Sequence, residues 1–295
     1  MEKPKFRCRC SAIGQIMTEP QGKSIEEKIR DVEDAITAKA EKRAKWASEG
    51  KTHLVTYIKY GIEIEKLILQ RTELKTRLGE PNLSKICQSY VKKWLWEKVT
   101  GKRVEFKSKP TDKGLIVEDD AIAFASLHFP EMELAYKNET HFKNEWLQGT
   151  PDILPPPDWV IDMKSSFTHE TFPIFDGTCP ETDYEWQVQG YMDLTNGQHA
   201  AVIFALMDMP MDMIEKEARY KLKEGYTLKE FEDFASNYIY TDLPDWMRLK
   251  RFDVERDQDK IAAIHARVEE CRKYVDTVLW PELLRTQLKF EAYAL

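Results

Sequence analysis

The clearest periodicity in the chain lies between residues 24 and 79. Ile25, Ile29, Val32, Ile36 and Ala40 recur at steps of three and four, the spacing of a helix with one apolar face. Ser48-Glu49-Gly50-Lys51 breaks the pattern, and Leu54, Tyr57, Gly61, Ile64, Ile68, Arg71, Leu74 and Leu78 resume it. Such a seam on both sides of a break predicts an antiparallel helical hairpin, or short coiled coil, over 24–80. At about 1.5 Å per residue the second helix, some 25 residues, is ~37 Å long. The seam is narrow, as self-packing requires; a clamp on DNA or a docking arm for a partner is the sharper alternative.

The pattern then changes character. Leu83 to Thr100 reads as a helix carrying Trp94 and Trp96 and ended by Gly101, a residue suited to the left-handed turn after a helix. Lys113 to Ala125 and Asp183 to Leu194 have helical spacing, and the unbroken apolar run Ala200 to Leu206 reads as a buried strand. Residues 209–245 hold a helical insertion, two helices with Gly225 between them and Thr227-Leu-Lys-Glu230 as a capping box. Leu243-Pro-Asp-Trp246 turns the chain into a strand over Arg251 to Asp257, and 257–280 forms the last long helix.

Composition narrows the class. With 295 residues the chain can bury a sizeable core in one or two domains. A net charge of −7 excludes a protein that coats nucleic acid non-specifically, since such binding draws on Lys and Arg. Local basic patches remain at Lys92-Lys93, at Lys102-Arg103 with Lys107 and Lys109, and at Arg248-Leu-Lys250-Arg251, each with ordinary surface charge as its bland reading. The five cysteines are odd in number and lack Cys-x-x-Cys spacing, against a disulfide framework or structural zinc. Cys8-x-Cys10 is expected to give one buried and one exposed thiol. No signal-peptide pattern or long apolar run is visible, so a soluble, intracellular protein without a membrane role is expected.

The chemistry concentrates in Gly149-Thr150-Pro151-Asp152, a proline turn through Pro155-Pro156-Pro157, and Trp159-Val-Ile-Asp162-Met163-Lys164. Side chains alternate along a strand, so Asp162 and Lys164 share a face and Met163 takes the other. A hairpin would return Asp152 to the side of Asp162. Two carboxylates and an ammonium then meet where they can hold a divalent cation and a water or phosphate. Asp/Glu-x-Lys is cheap: Glu26-Glu-Lys28, Glu49-Gly-Lys51, Glu73-Leu-Lys75 and Glu105-Phe-Lys107 also match, in charged stretches. A structural, salt-bridged hairpin is the bland reading here. The apolar run into Asp162 sets the candidate apart, because a buried charge needs a partner or a metal.

Taken with Glu118 on the preceding helix and Gln187-Val-Gln189 with Met192 on the following one, these motifs resemble the PD-(D/E)xK nuclease superfamily. Within it they are most similar to the bacteriophage lambda exonuclease, or YqaJ-like viral recombinase, type. The opening Arg7-Cys-Arg9-Cys-Ser11 and the closing strand and helix from Arg251 are weaker matches. Asp162 stands where family members often carry Glu, and no cysteine set matches the iron–sulfur relatives.

The resemblance implies an α/β (α+β) restriction-endonuclease-like core, a mixed central sheet flanked by helices. Residues 1–23 and 81–295 would form it and the 24–80 hairpin would be inserted. It implies Mg²⁺ or Mn²⁺, up to two ions and no ATP, held by Asp152, Asp162, Glu118 and the Met163 backbone carbonyl. Lys164 would orient or help deprotonate the attacking water. Gln187, favoured over Gln189 because it makes a Gln-x-x-x-Tyr pattern with Tyr191, would position water or Lys164. Thr150, Ser11 and either Arg7 or Arg9 would recognise a 5′-phosphate. The implied activity is 5′→3′ degradation of linear duplex DNA ends, leaving 3′ single strands for an annealing protein. A ring trimer, phage or prophage origin and the bacterial host cytoplasm are implied with it. An endonuclease on the same core, and a non-catalytic DNA-binding recombination adaptor, are the alternatives.

Overall fold

The computed structural model describes residues 2–104, 107–133, 136–222 and 225–293. The chain opens with β1 (Cys8–Arg9), a 3₁₀ turn, α1 (Ile13–Met17), α2 (Ile25–Ser48), α3 (Val55–Thr76), α4 (Lys85–Thr100) and α5 (Lys109–Ser126). Next come β2 (Phe142–Lys143), β3 (Leu147–Gly149), β4 (Trp159–Ser165), α6 (Thr182–Thr195) and β5 (His199–Ala205). It closes with α7 (Met211–Lys221), α8 (Leu228–Ala235), β6 (Leu249–Glu255), α9 (Gln258–Tyr274) and α10 (Trp280–Tyr293). Glu105 and Phe106, two of the three residues of one spare Glu-x-Lys match, and residues 223–224 of the expected insertion lie outside the described residues.

The chain divides into two units, one of residues 1–3, 18–92 and 269–295, the other of residues 4–17 and 93–268. In the first, α2 and α3 pack together as the periodicity predicts. Ser24 caps α2 by accepting from Glu27 N–H while the Glu27 carboxylate takes the Ser24 N–H, a reciprocal cap that fixes where the helix starts. The seam is partly polar: Lys39 pairs with Glu63 at 2.6 Å, and the Arg43 guanidinium lies 4.5 Å from the Tyr57 ring centroid. Ile68, expected in the seam, is exposed, whereas Leu67 one residue earlier is partly buried. The last helical segment does not stop at 280. A π-helical turn over Val275–Leu279, in which Trp280 N–H reaches Val275 O, widens the helix and admits Pro281, which has no N–H to give.

In the second unit the expected mixed sheet is two three-stranded ones, ordered β1-β3-β2 and β4-β5-β6. β4 runs parallel to β5 from Trp159↔His199 to Ser165↔Ala205, and β6 returns antiparallel. Between β3 and β4, Pro151 lacks a donor and pairing shrinks to one bridge, Ile153↔Ile161, as proline in a ladder dictates. Ile161, Met163, Ala201 and Ile203 bury one face of the second sheet with Ala121, Ile122 and Ala125 of α5. Full burial of such a side chain contributes ~1.5–3 kcal/mol. The small alanines let α5 lie close to the sheet. The opposite face of β4 and β5 is covered by α6, which in turn receives α1. A Cβ on Gly190 would stand 2.3 Å from Ile13 Cδ1, so only glycine admits that approach.

The cysteine expectation is corrected: Cys8 and Cys10 are both buried. The strand that carries Cys8 is two residues long, and the chain then winds Cys10 inward against α6, so strand alternation never sends either thiol to solvent.

Candidate active site

The hairpin that the motif demands forms around one pair of isoleucines. Ile153 and Ile161 exchange both backbone hydrogen bonds, at 3.2 and 3.0 Å. One residue earlier, Asp152 substitutes its side chain for a ladder partner: Met163 N–H donates to Asp152 Oδ2 at 2.8 Å. A strand residue's N–H and C=O point to the same edge, so the Met163 carbonyl also looks toward Asp152.

On the α6 face, Asp162 is completely buried. Gln187 Nε2 donates to its Oδ1 at 2.8 Å and reaches the Tyr191 hydroxyl at 3.2 Å. Lys164 Nζ stands 2.7 Å from Asp162 Oδ2 and 4.5 Å from the Tyr184 ring centroid. That ammonium is the partner that meets the buried Asp162 Oδ2. A Cβ on Gly149 would lie 2.8 Å from the Tyr191 ring, and the bare backbone there lets Tyr191 back Gln187.

The electrostatics follow from two carboxylates meeting out of water. Burial, then the charge of Asp162, pushes Asp152 up to about 7, with Lys164 and the Met163 N–H pulling the other way. Burial opposes the Lys164 ammonium, but Asp162 and Asp152 outweigh it and hold its pKa above the usual lysine value. Burial lifts Tyr184 to about 12 and Tyr191 further, so both stay neutral hydroxyls. Two carboxylates that share one ammonium are a donor set suited to a hard divalent cation.

Glu118 projects from α5 toward the same centre, where its charge adds to the elevation of Asp152. Its Oε2 is held by Lys137 Nζ at 2.6 Å. Among the described residues no three acidic, His or Cys side chains converge closely enough to hold one ion; Asp152, Asp162 and the Met163 carbonyl form the nearer set. Gln189 turns away, binding Glu255 O and Asp257 N–H at 2.6 and 2.9 Å.

The expected phosphate residues are brought together in part. β1 pairs parallel with β3, Arg9 opposite Gln148, which sets the opening segment beside the chain entering Thr150. Arg9 is engaged by Glu97 at 2.5 Å, whereas Arg7 Nε is buried without a hydrogen bond. Thr150 Oγ1 lies 3.1 Å from His141 Nδ1, and Ser11 is exposed. In the candidate patch Arg248-Leu-Lys250-Arg251, Arg248 is buried against the Phe124 ring, and Arg251, over the Trp159 ring, is shared between Glu131 and Asp253, so these two guanidinium groups are engaged within the fold.

One residue went unread. Lys113 is fully buried on α5 and donates to Ser166 O, Phe167 O and Met207 O at 2.8, 3.0 and 2.6 Å. It gathers the ends of β4 and β5, and burial lowers its pKa to about 8. The available signal was its place one turn before Val117 and two before Ala121, on the apolar face of its helix.

A structure of a phage-related exonuclease from Haemophilus somnus 129PT matches with a TM-score of 0.61 at 20% identity, over 95% of this chain and 97% of that one. The two share a fold. The mixed α+β architecture implied by the motifs therefore holds. An alkaline exonuclease, LHK-Exo from Laribacter hongkongensis, matches at a TM-score of 0.48 and 18% identity, over 70% of this chain and 87% of its own. LHK-Exo in complex with dAMP matches at a TM-score of 0.47 and 19% identity, with the same coverage. No family model and no curated protein matches the sequence. Among the described residues no helix is long and apolar enough to cross a membrane.

Proposed function

We propose that this protein is a metal-dependent deoxyribonuclease that degrades linear duplex DNA from its ends. The observation that carries the reading is the cluster of Asp152, Asp162, Lys164 and Gln187, in which two carboxylates share one ammonium and Asp152 is pushed up to about 7. A full-length likeness in fold to a phage-related exonuclease supports the same reading.

Asp152, Asp162 and the Met163 carbonyl would hold Mg²⁺ or Mn²⁺, with Glu118 at the margin for a second ion once released by Lys137. Bound there, the ion supplies the positive charge that polarises a phosphoryl oxygen and acidifies the attacking water. Lys164, kept charged by the two aspartates, faces the incoming water and offsets charge building on phosphorus. Gln187 fixes the Asp162 rotamer through Oδ1, leaving Oδ2 for coordination, and Tyr191 fixes Gln187. Arg7, with Thr150 and Ser11, is the better placed set for a 5′-phosphate, since Arg9 is paired with Glu97. Polarity 5′→3′, a 3′ single-stranded product passed to an annealing protein, a ring oligomer and work in a phage-infected cytoplasm belong to the same proposal.

The test is linear duplex DNA with a labelled 5′-phosphorylated strand, in Mg²⁺ without ATP, beside Lys164→Ala. Mononucleotide release, absent in the variant and on closed circles, upholds the exonuclease. Cutting of circles selects an endonuclease on the same core. No cleavage with Mg²⁺ or Mn²⁺ overturns the nuclease reading and leaves a DNA-binding adaptor.

A further inference from the structure

Within the first unit, the loops 18–24 and 77–84 and the residues around the π-helical turn enclose a cleft of about 870 Å³. That is inside the ~300–1,000 Å³ range of small-ligand sites. The catalytic cluster uses none of its residues. Lys23, Lys28, Arg77, Lys85 and Lys92 reach its walls, against Glu19, Glu80 and Glu282. Lys23 is answered by Asp31 at 2.7 Å and Arg77 by Glu80 at 3.0 Å. Among the described residues, Lys28, Lys85 and Lys92 enter no ion pair. In a chain of net charge −7, three unanswered ammonium groups in one recess are a local reversal.

Their placement makes the point stronger. Lys85 is the first residue of α4, whose first turn carries no acidic residue. The positive end of a helix dipole disfavours a cation there. An anion bound in the recess removes that conflict. The wall also carries the π-helical segment, through Val278, with Tyr274 just before it, and such segments recur at functional sites. Tyr274 is buried with its hydroxyl 3.5 Å from Gln88 Oε1, while Ile86 is exposed. Lysines offer contacts for a phosphate, and Ile86 with Val278 offers apolar surface for a base.

We propose that this cleft binds a nucleoside phosphate, free or as a unit of single-stranded DNA; the choice of a nucleotide over another anion rests on the nuclease reading. The experiment uses the full chain in EDTA, where hydrolysis is blocked. The probes are fluorescein-labelled dT12 without a 5′-phosphate and unlabelled dAMP as competitor, read by anisotropy. Lys28→Glu and Lys85→Glu are each expected to weaken dT12 binding at least fivefold, and the double variant at least thirtyfold. Each removed contact lowers the salt slope of log K by about 0.7. Lys28→Gln with Lys85→Gln, which only neutralises, should show the same order of loss with an unchanged melting temperature. Displacement of dT12 by dAMP assigns the site to a mononucleotide, and binding without displacement to a strand; either upholds the cleft. Wild-type affinity in the double variants, or no binding of either probe by the wild type, overturns it. Failure of Mg²⁺-dependent cleavage would remove the nuclease and leave these binding results standing, so the two readings fail separately.

Discussion

Replacing Asp152 by Asn is expected to stabilise the metal-free protein while ending its activity. The amide oxygen still accepts the Met163 N–H, so the hairpin keeps its bond. What disappears is an ionised carboxylate buried beside Asp162. The carboxyl stands at about 7 against a usual 3.8, and at 1.36 kcal/mol for each tenfold step this sets a ceiling of about 4 kcal/mol on the cost of ionising it. Local relaxation and entering water bring the expected gain to roughly 2 kcal/mol, or ~4–8 °C in melting temperature for a body of this size. The sign follows from proton linkage. Between about 4 and about 7 the folded wild type holds a proton that the unfolded chain has released, so its stability falls as pH rises through that window and levels off above it. Asp152→Asn has no such dependence. The advantage should be small at pH 4 and full at pH 8, both in EDTA, by thermal denaturation. Added Mg²⁺ should then raise the wild type and leave the variant behind, reversing the order. A variant no more stable than wild type at pH 8, or an advantage that does not grow with pH, refutes the argument that burial and the charge of Asp162 oppose ionisation of Asp152.

Exchanging the two glutamines of α6 separates chemistry from scaffolding. Gln187→Leu should cut the rate of nucleotide release by ten- to a hundredfold with a modest loss of stability, because Asp162 Oδ1 loses its donor. Gln189→Leu should leave the rate per folded molecule near wild type and lower the melting temperature, because Glu255 O and Asp257 N–H lose their partner; the reverse outcome would reassign the site glutamine. Lys113→Met should destabilise by about 3 kcal/mol, since carbonyls at the ends of β4 and β5 lose their donor. An unfolding free energy in urea within about 0.5 kcal/mol of wild type, judged against the ~1–3 kcal/mol cost of unsatisfied buried groups, would show that water replaces the ammonium.

The elements with strong period were legible from the chain alone: the hairpin over α2 and α3, the caps at Ser24 and Thr227, the buried run of β5. So was the core of the site. Asp162 and Lys164 share a face because strands alternate, and Asp152 sits beside them because a proline turn returns the chain. These are local rules, acting over ten or fifteen residues. What needed the tertiary structure was everything decided by contacts distant along the chain. Gln187 and Gln189 are two residues apart on one helix; only the docking of α6 against β4 and β6 sends one to Asp162 and the other to Glu255. Arg9 is claimed by Glu97 and Arg251 by Glu131, partners far away in sequence. Lys113 found its carbonyls only when two strand ends were brought under one helix. Cys10 is buried by a turn that begins after two residues of strand, too short a stretch for alternation to govern. Periodicity determines which face of an element is apolar, and packing determines what that face meets.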